Sequence, residues 1–225
     1  MTAAFIIRFH YPEDDPRFAW RLAYFKAMVL PRLLAQTYSD FDIAIRCNPA
    51  HDHEFAGLAP RLRVFHVQGE AEQYREQNGA RYFLDFVPWA SVEDLPQYDL
   101  QMGLDSDDLI RSDYVERIMR ELKEANPAGD KKVHISFQPG LFDLKTLRQY
   151  EMPQRYGPRC GSAFFALYQP YDSAVYHFAY EASHRYLYRL AEQSLCITEP
   201  GYCWATTHDR NESTRLTRSP NPTHP

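Results

Sequence analysis

The sequence has few of the features that mark a secreted, membrane-spanning or disulfide-stabilised protein. Its four cysteines form no CxxC pair and are too sparse for a disulfide framework, so we expect reduced thiols. No apolar stretch approaches the roughly 20 residues that a membrane-spanning helix needs. The apolar run 3–7 is short and is followed at once by Arg8 and His10, which predicts no signal peptide. We therefore expect a cytoplasmic chain with no membrane span.

An excess of basic residues is also lacking. The chain has 25 Lys and Arg against 30 Asp and Glu, for a formal net charge of −5. Because binding to a phosphate backbone needs a basic surface, this balance argues against a nucleic-acid partner. At 225 residues, with 44% hydrophobic and 24% charged residues, the composition is that of one globular domain. The aromatic share of 15% is high. Such rings fill a core or, near a polar site, stack against sugars or a base.

Strand and helix patterns alternate along the first half of the chain. Apolar β-rich runs at 3–9, 41–47 and 62–67 predict strands, separated by a helix at about 16–36 and a short helical piece near 54–58. Pro31 lies inside the first helix and is expected to kink it. This order predicts an α/β fold with a mostly parallel sheet. Further along we predict helices at 70–86, 114–125 and 174–193 and strands at 98–104, 133–137 and 164–167.

An acidic run follows the predicted strand 98–104. Leu104-Asp105-Ser106-Asp107-Asp108 places three carboxylates within four residues at the carboxyl end of that strand, where ligands of open α/β sheets bind. Like charges this close repel unless a cation neutralises them, and dense oxygen ligands suit Mg²⁺ or Mn²⁺. The alternative is a loop whose aspartates only form Asx-turns or cap the next helix. An EF-hand is a poor match, because the central glycine and the terminal glutamate are missing.

The acidic run resembles the DxDD element of family-2-like GT-A glycosyltransferases. The segment 30–37, Leu-Pro-Arg-Leu-Leu-Ala-Gln-Thr, followed by Phe41, resembles the helix that leads into their second strand. Ile7-Arg8-Phe9, together with Arg21 and Phe25, is similar to the subgroup known as putative rhamnosyltransferases. The resemblance covers about residues 3–211 and is strongest over 5–45 and 98–120.

The resemblance implies a GT-A fold, which is Rossmann-like with a mostly parallel central sheet and helices on both faces. It also implies a nucleoside-diphosphate sugar donor, a divalent metal (Mn²⁺ or Mg²⁺) and transfer of a sugar, rhamnose in this subgroup, to a saccharide or glycan acceptor. We expect one domain over 1–212, with a donor-binding part at about 1–112 and an acceptor-side part at about 113–212. The polar segment 213–225 has three prolines after Arg218 and is expected to be a disordered tail.

Site residues carry over by position. Asp105 would lie near the donor ribose or the metal, Asp107 would be a metal ligand, and His208 matches a C-terminal histidine that many such enzymes add. Arg81 follows Gln77-Asn78-Gly79-Ala80, which faintly resembles a helix start that approaches the diphosphate. The second strand ends in Arg46-Cys47-Asn48, where typical members carry the aspartate that reads uracil. A thymidine or guanosine donor therefore stays open.

An inverting transfer needs a carboxylate to accept the proton of the acceptor hydroxyl. Asp172, at the predicted start of the helix 174–193, is the first candidate for this base and Glu181 the second. A helix cap is the plain alternative for Asp172. Arg8, at the end of the first strand, could meet the diphosphate or the base, because its planar fork suits phosphate oxygens. A buried arginine paired with a carboxylate is the alternative reading of Arg8.

Two other functions stay open at this point. A metal-dependent nucleotidyltransferase also uses an α/β sheet and an acidic pair, but it would usually carry a glycine-rich basic loop after the first strand. Here that loop is 10–15, His-Tyr-Pro-Glu-Asp-Asp, which is acidic and has no glycine. A non-catalytic sugar-nucleotide-binding domain is the other alternative.

Overall fold

The structure is a computed structural model that describes residues 1–68, 74–77, 80–83, 89–151, 163–180 and 186–207. Within these residues three segments are α-helical: α1 (Arg17–Tyr24), α2 (Leu30–Leu34) and α3 (Tyr114–Ala125). A π-helical turn, Phe25–Val29, joins α1 to α2, and short 3-10 helices span Pro49–Glu54, Trp89–Ser91 and Leu187–Leu190. The strands are β1 Ala3–Phe9, β2 Asp42–Cys47, β3 Leu62–Val67, β4 Tyr74–Gln77, β5 Ala80–Phe83, β6 Val92–Glu93, β7 Leu100–Asp105, β8 Leu109–Ile110, β9 Val133–Phe137, β10 Gly140–Asp143, β11 Arg148–Glu151, β12 Phe165–Tyr168, β13 Gln193–Ile197 and β14 Cys203–Thr207.

A mixed eight-stranded sheet forms the centre of the fold. Its order is β13-β9-β12-β7-β1-β2-β3-β6, and the strands β7, β1, β2 and β3 are mutually parallel. β12 runs antiparallel between β7 and β9. A four-stranded sheet, β11-β10-β14-β8, continues from the point where β7 ends, because β8 begins four residues after it. The carboxyl end of β7 therefore lies where the two sheets meet.

The two faces of the large sheet are covered differently. Phe5, Ile7 and Phe9 of β1 belong to a buried cluster to which α1, α2 and α3 all contribute. Ala4 and Ile6 belong to the cluster on the other face, whose cover includes Leu95, Tyr98, Phe178, Ala179, Tyr180 and Leu187. The α-helices of the described residues all contribute to the first of these two faces. Each large apolar side chain buried on either face contributes about 1.5–3 kcal/mol to stability.

The first helix accommodates Pro31 by widening a turn. The Leu30 N–H donates to the Phe25 carbonyl, five residues back. An ordinary α-helical turn would instead press the Pro31 ring against the carbonyl of Ala27, and Pro31 has no N–H to offer that carbonyl. The disturbance predicted at Pro31 is therefore present as a π-helical turn just before it.

Two predicted helices are wrong. Within 70–86 the described residues form the antiparallel strands β4 and β5, and Arg81 lies on β5 opposite Glu76 rather than at a helix start. Asn78-Gly79, between the two strands, is a strong hairpin signal that the helical reading overlooked. Within 174–193, the described residues 174–180 are not helical and Leu187–Leu190 is a 3-10 helix.

The expectation of reduced thiols is only partly met. Cys47 and Cys203 are buried thiols outside any disulfide, whereas Cys196 is disulfide-bonded. Across the part of the chain that the structure describes, no helix combines the length and the apolar character needed to cross a membrane.

A buried histidine makes the fold sensitive to acid. His134 is 2% exposed, its Nδ1 lies 2.9 Å from Ser194 Oγ, and burial lowers its pKa from 6.5 to about 4. Because the unfolded chain binds this proton more readily, the contribution is complete above about pH 6.5 and is lost as the pH falls towards 4. The free energy of unfolding should therefore fall between pH 7 and pH 5, and we expect this fall to be about 2 kcal/mol smaller in His134→Gln than in the wild type. Urea unfolding at the two pH values measures it.

The exposed His53, whose side chain is 75% accessible, provides the control: His53→Gln should keep the wild-type pH dependence. An unchanged pH dependence in His134→Gln would contradict the prediction.

Candidate active site

The acidic run begins on the last residue of β7. β7 pairs in parallel with β1, and the register sets Asp105 directly opposite Arg8. The Asp108 N–H then donates to the Asp105 carbonyl over 3.1 Å, which closes a turn before β8. Since the run follows a central parallel strand, it occupies the edge of the sheet at which ligands of such folds bind. The strand-end position predicted for these carboxylates is confirmed.

Arg8 pairs with the first carboxylate. Its Nη2 and Nε lie 2.5 and 3.2 Å from Asp105 Oδ1. The Tyr180 ring lies beside the guanidinium, with 5.1 Å from Arg8 Cζ to the ring centroid, and its hydroxyl donates to the Ile6 carbonyl over 3.1 Å. The side chains of Arg8 and Asp105 are 17% and 32% exposed, so this pair remains open to solvent.

Arg21 pairs with the second carboxylate from the other side. Its Nη1 forms an ion pair with Asp107 Oδ2, and the two side chains are only 8% and 9% exposed. The Trp20 ring lies 5.8 Å from Arg21 Cζ. Arg21 therefore brings α1 against the acidic run in a buried charge pair, which is stable only because both partners are present.

Asp108 anchors the run to the smaller sheet. Its Oδ1 accepts the Thr206 N–H of β14 over 3.0 Å, and the residue is 6% exposed. Burial, followed by the charges of Asp107 and Asp105, raises its pKa well above the ordinary value. Tyr24 joins the same group, since its hydroxyl lies 3.4 Å from Thr206 Oγ1 and burial raises its pKa. Asp108 thus holds β14 against the run and does not face solvent.

The carboxylates of the run fit part of a cation shell. Mg²⁺ is commonly held by one or two carboxylates, and waters and substrate phosphates complete its shell. Asp105 and Asp107 could supply those carboxylates. Within the described ranges, no group of three or more His, Cys, Asp or Glu residues could hold a metal by itself. His208, the predicted third ligand, lies outside the described residues.

Asp172 does not belong to this site. The Gln169 N–H donates to the Asp99 carbonyl over 2.7 Å, and Tyr168 is opposite Leu100, so β12 leads away from the acidic run. Asp172 is exposed beyond the amino end of β7. A strand of six residues separates that end from Asp105, roughly 17–20 Å at the usual rise. The geometry therefore gives no support to Asp172 as the base.

Glu181, the other candidate base, lies outside the described residues. It directly follows Tyr180, whose ring is beside Arg8. Trp204 is half-buried on β14, two residues before Thr206.

Sequence reasoning missed the role of Arg21. In the sequence it served only as a mark of the resemblance, although its position carried a signal. Phe18, Leu22 and Phe25 form the buried stripe of this helix, and Arg21 lies beside them at 6% exposure. A charged residue on an apolar stripe requires a buried partner of opposite charge.

The end of β2 departs from the pattern of an exposed, base-reading carboxylate. Arg46 is fully buried, and His10 beside it is 1% exposed. Burial and the Arg46 charge lower the pKa of His10 to about 3, so this imidazole is neutral. His66 Nε2 lies 2.9 Å from Asp52 Oδ1 nearby. The buried Arg46 side chain has no surface to offer a base.

Comparison with solved structures supports the fold. Residues 1–349 of TarS from S. aureus, in complex with UDP-GlcNAc, share 12% identity with this chain at a TM-score of 0.57, over 94% of this chain and 60% of TarS 1–349. The same fragment alone gives 11% identity and a TM-score of 0.55, over 92% and 60%. Full TarS gives 12% identity and 0.52, over 92% of this chain and 37% of TarS. The chain thus spans about three fifths of the TarS fragment, and the predicted GT-A fold class is confirmed.

Comparison at the sequence level identifies the family. No curated protein matches the chain. The family model described as "Putative rhamnosyl transferase" matches residues 5–219, which include most of β1, the helix that carries Arg21, and the acidic run. The chain therefore belongs to the putative rhamnosyl transferase family.

Proposed function

We propose that this chain is a metal-dependent glycosyltransferase that moves a sugar, rhamnose by its family, from a nucleoside-diphosphate sugar to a hydroxyl of a saccharide or glycan acceptor. One observation carries the proposal: within a family-matched chain, Asp105 ends a central parallel strand and Asp107 lies in the turn that follows, each paired with an arginine. This edge of the sheet combines acidic oxygens for a cation with guanidinium groups for phosphate.

The proposed roles follow the contacts. Asp105 and Asp107, with His208, hold Mn²⁺ or Mg²⁺, which when bound stabilises the charge that develops on the leaving nucleoside diphosphate. Arg8, on the more exposed pair, orients the diphosphate through its planar fork. Glu181 accepts the proton of the acceptor hydroxyl. Arg81 is given no role at the diphosphate. That role depended on a helix start, and Arg81 lies on the strand β5.

A panel of nucleoside-diphosphate sugars tests the proposal. Binding and slow hydrolysis are measured with Mn²⁺, with Mg²⁺ and with neither ion. At least one donor should bind in a cation-dependent manner. Asp107→Asn should weaken that binding by at least about tenfold, because it removes one anionic ligand while keeping the shape of the side chain. Asp172→Asn, an exposed acid at the far end of β7, should bind as the wild type does.

Two results would replace this proposal. If no donor binds, or if Asp107→Asn leaves the cation-dependent binding unchanged, the transferase assignment of the acidic run is wrong. A donor that binds but is neither hydrolysed nor transferred to any saccharide would instead identify a non-catalytic sugar-nucleotide-binding domain.

A further inference from the structure

The two arginine–carboxylate pairs of the acidic run differ in accessibility. Arg8 and Asp105 have side chains that are 17% and 32% exposed, whereas Arg21 and Asp107 are at 8% and 9%. A small cation reaches Asp105 from solvent, but it meets Asp107 only after the guanidinium of Arg21 has given way. Arg21 therefore already places a positive charge beside Asp107, where a cation would act.

We propose that Arg21 is a resident counterion that closes Asp107 to divalent cations until a nucleoside diphosphate binds. The inference rests on the proposed function, in which Asp107 is a cation ligand. Arg21 is in this sense a positioning residue: it controls when Asp107 is available and takes no part in bond making. The consequence is a cation affinity that depends strongly on the presence of the nucleotide.

The chemistry of the guanidinium group allows the exchange. Its planar fork pairs equally well with a carboxylate or with phosphate oxygens. A buried arginine that loses its carboxylate without a replacement is costly, so Arg21 leaves Asp107 only when another anion is offered. A bound diphosphate is such an anion. The Trp20 ring, 5.8 Å from Arg21 Cζ, adds a cation–π contact that keeps the guanidinium close to the run.

The wild-type chain provides the first measurement. Mn²⁺ binding is followed by electron paramagnetic resonance, alone and with UDP, GDP or dTDP. We expect at least one nucleotide to tighten Mn²⁺ binding by about tenfold or more, the scale on which one close charge alters a neighbouring ionisable group. By linkage, Mn²⁺ should tighten the binding of that nucleotide by the same factor, which an independent nucleotide titration checks.

Arg21→Met provides the second measurement. It removes the charge and keeps an apolar stem on the helix, so Mn²⁺ binding without nucleotide should tighten by about tenfold or more. The factor by which a nucleotide tightens Mn²⁺ binding should then fall towards one. The matched control is Arg17→Met on the same helix, because Arg17 Nη2 pairs with Asp15 Oδ2 at 2.5 Å. Its Mn²⁺ binding should be that of the wild type.

The outcomes distinguish a failure of this inference from a failure of the proposed function. An Arg21→Met chain that binds Mn²⁺ no more tightly than the wild type overturns the inference. If that variant does not fold, the test is the ratio of the wild-type Mn²⁺ affinities with and without nucleotide. A ratio near one overturns the inference. Failure of every nucleotide and nucleotide sugar to bind marks the failure of the proposed function itself.

Discussion

Replacing Glu181 by glutamine is expected to lower kcat by about 10²–10⁴-fold, the range for loss of a general base, with little change in KM. Asp172 lies beyond the amino end of β7 and gains no support as the base. Glu181, which lies outside the described residues, is kept as the proposed base because Tyr180, the residue before it, lies beside Arg8, the partner of Asp105. The amide introduced by Glu181→Gln would keep the size of the side chain and remove its capacity to accept the proton.

The measurement is initial-rate kinetics with the donor that the binding panel identifies. Asp172→Asn is the matched control and should keep the wild-type kcat, since its exposed side chain has no part at the site. The reverse pattern, with Asp172→Asn inactive and Glu181→Gln active, would contradict both the base assignment and the placement of β12. A pH profile that loses its acidic limb in Glu181→Gln would add support independent of the rate itself.

Gly103→Ala is expected to cause the largest loss of stability, about 1–3 kcal/mol or more. A Cβ on Gly103 would lie 2.2 Å from Phe165 Cε1, and Phe165 is 1% exposed with no room to retreat. The two residues are opposite each other on β7 and β12. The absence of a side chain at Gly103 therefore leaves space for the Phe165 ring to pack on the strand that ends in Asp105. Urea unfolding measures the loss.

Phe165→Leu tests the steric explanation. If the ring is the obstacle, the double variant Gly103→Ala/Phe165→Leu should lose less stability than the sum of the two single variants. A strictly additive result, or a Gly103→Ala chain within about 0.5 kcal/mol of the wild type, would show that the ring moves aside and that the close approach is not required.

Local patterns predicted the elements whose signals do not depend on distant parts of the chain. The helix predicted at 114–125 and the strands at 3–9, 62–67 and 133–137 have the bounds that the structure shows. In α3 the buried Val115, Ile118 and Leu122 repeat at helical spacing, and Asn126-Pro127 follows. Sequence periodicity is reliable here because one face of each element is buried against one neighbour.

The segment 174–193 shows where that reasoning fails. Its dense aromatic residues match helical spacing, but Phe178, Ala179 and Tyr180 are buried consecutively under the sheet, which one stripe of a helix could not achieve. An aromatic-rich cover segment and an amphipathic helix therefore look alike in sequence. Their difference lies in the surface they cover, which only the tertiary structure supplies.

The acidic run could be placed from sequence and its partners could not. The rule for strand ends located Asp105, because it requires only the direction of one parallel strand. Asp172 was misplaced because β12 is antiparallel, and the residues that follow it lie at the opposite edge. The contact between Arg21 and Asp107 depends on how a helix packs against a strand more than 80 positions away in sequence. No local sequence pattern encodes a contact between residues so far apart in the chain.

The π-helical turn at Phe25–Val29 fixes the rotation of Arg21 relative to the rest of its helix. A helix turns by about 100° per residue, so removing one residue from this turn would rotate everything before it by that angle relative to Leu30 and Leu33. Arg21 would then point away from Asp107 while α2 stayed in the core. The stretch 25–29 should accordingly keep its length over the history of the family. Its count of residues, more than their identity, keeps the charge pair aligned.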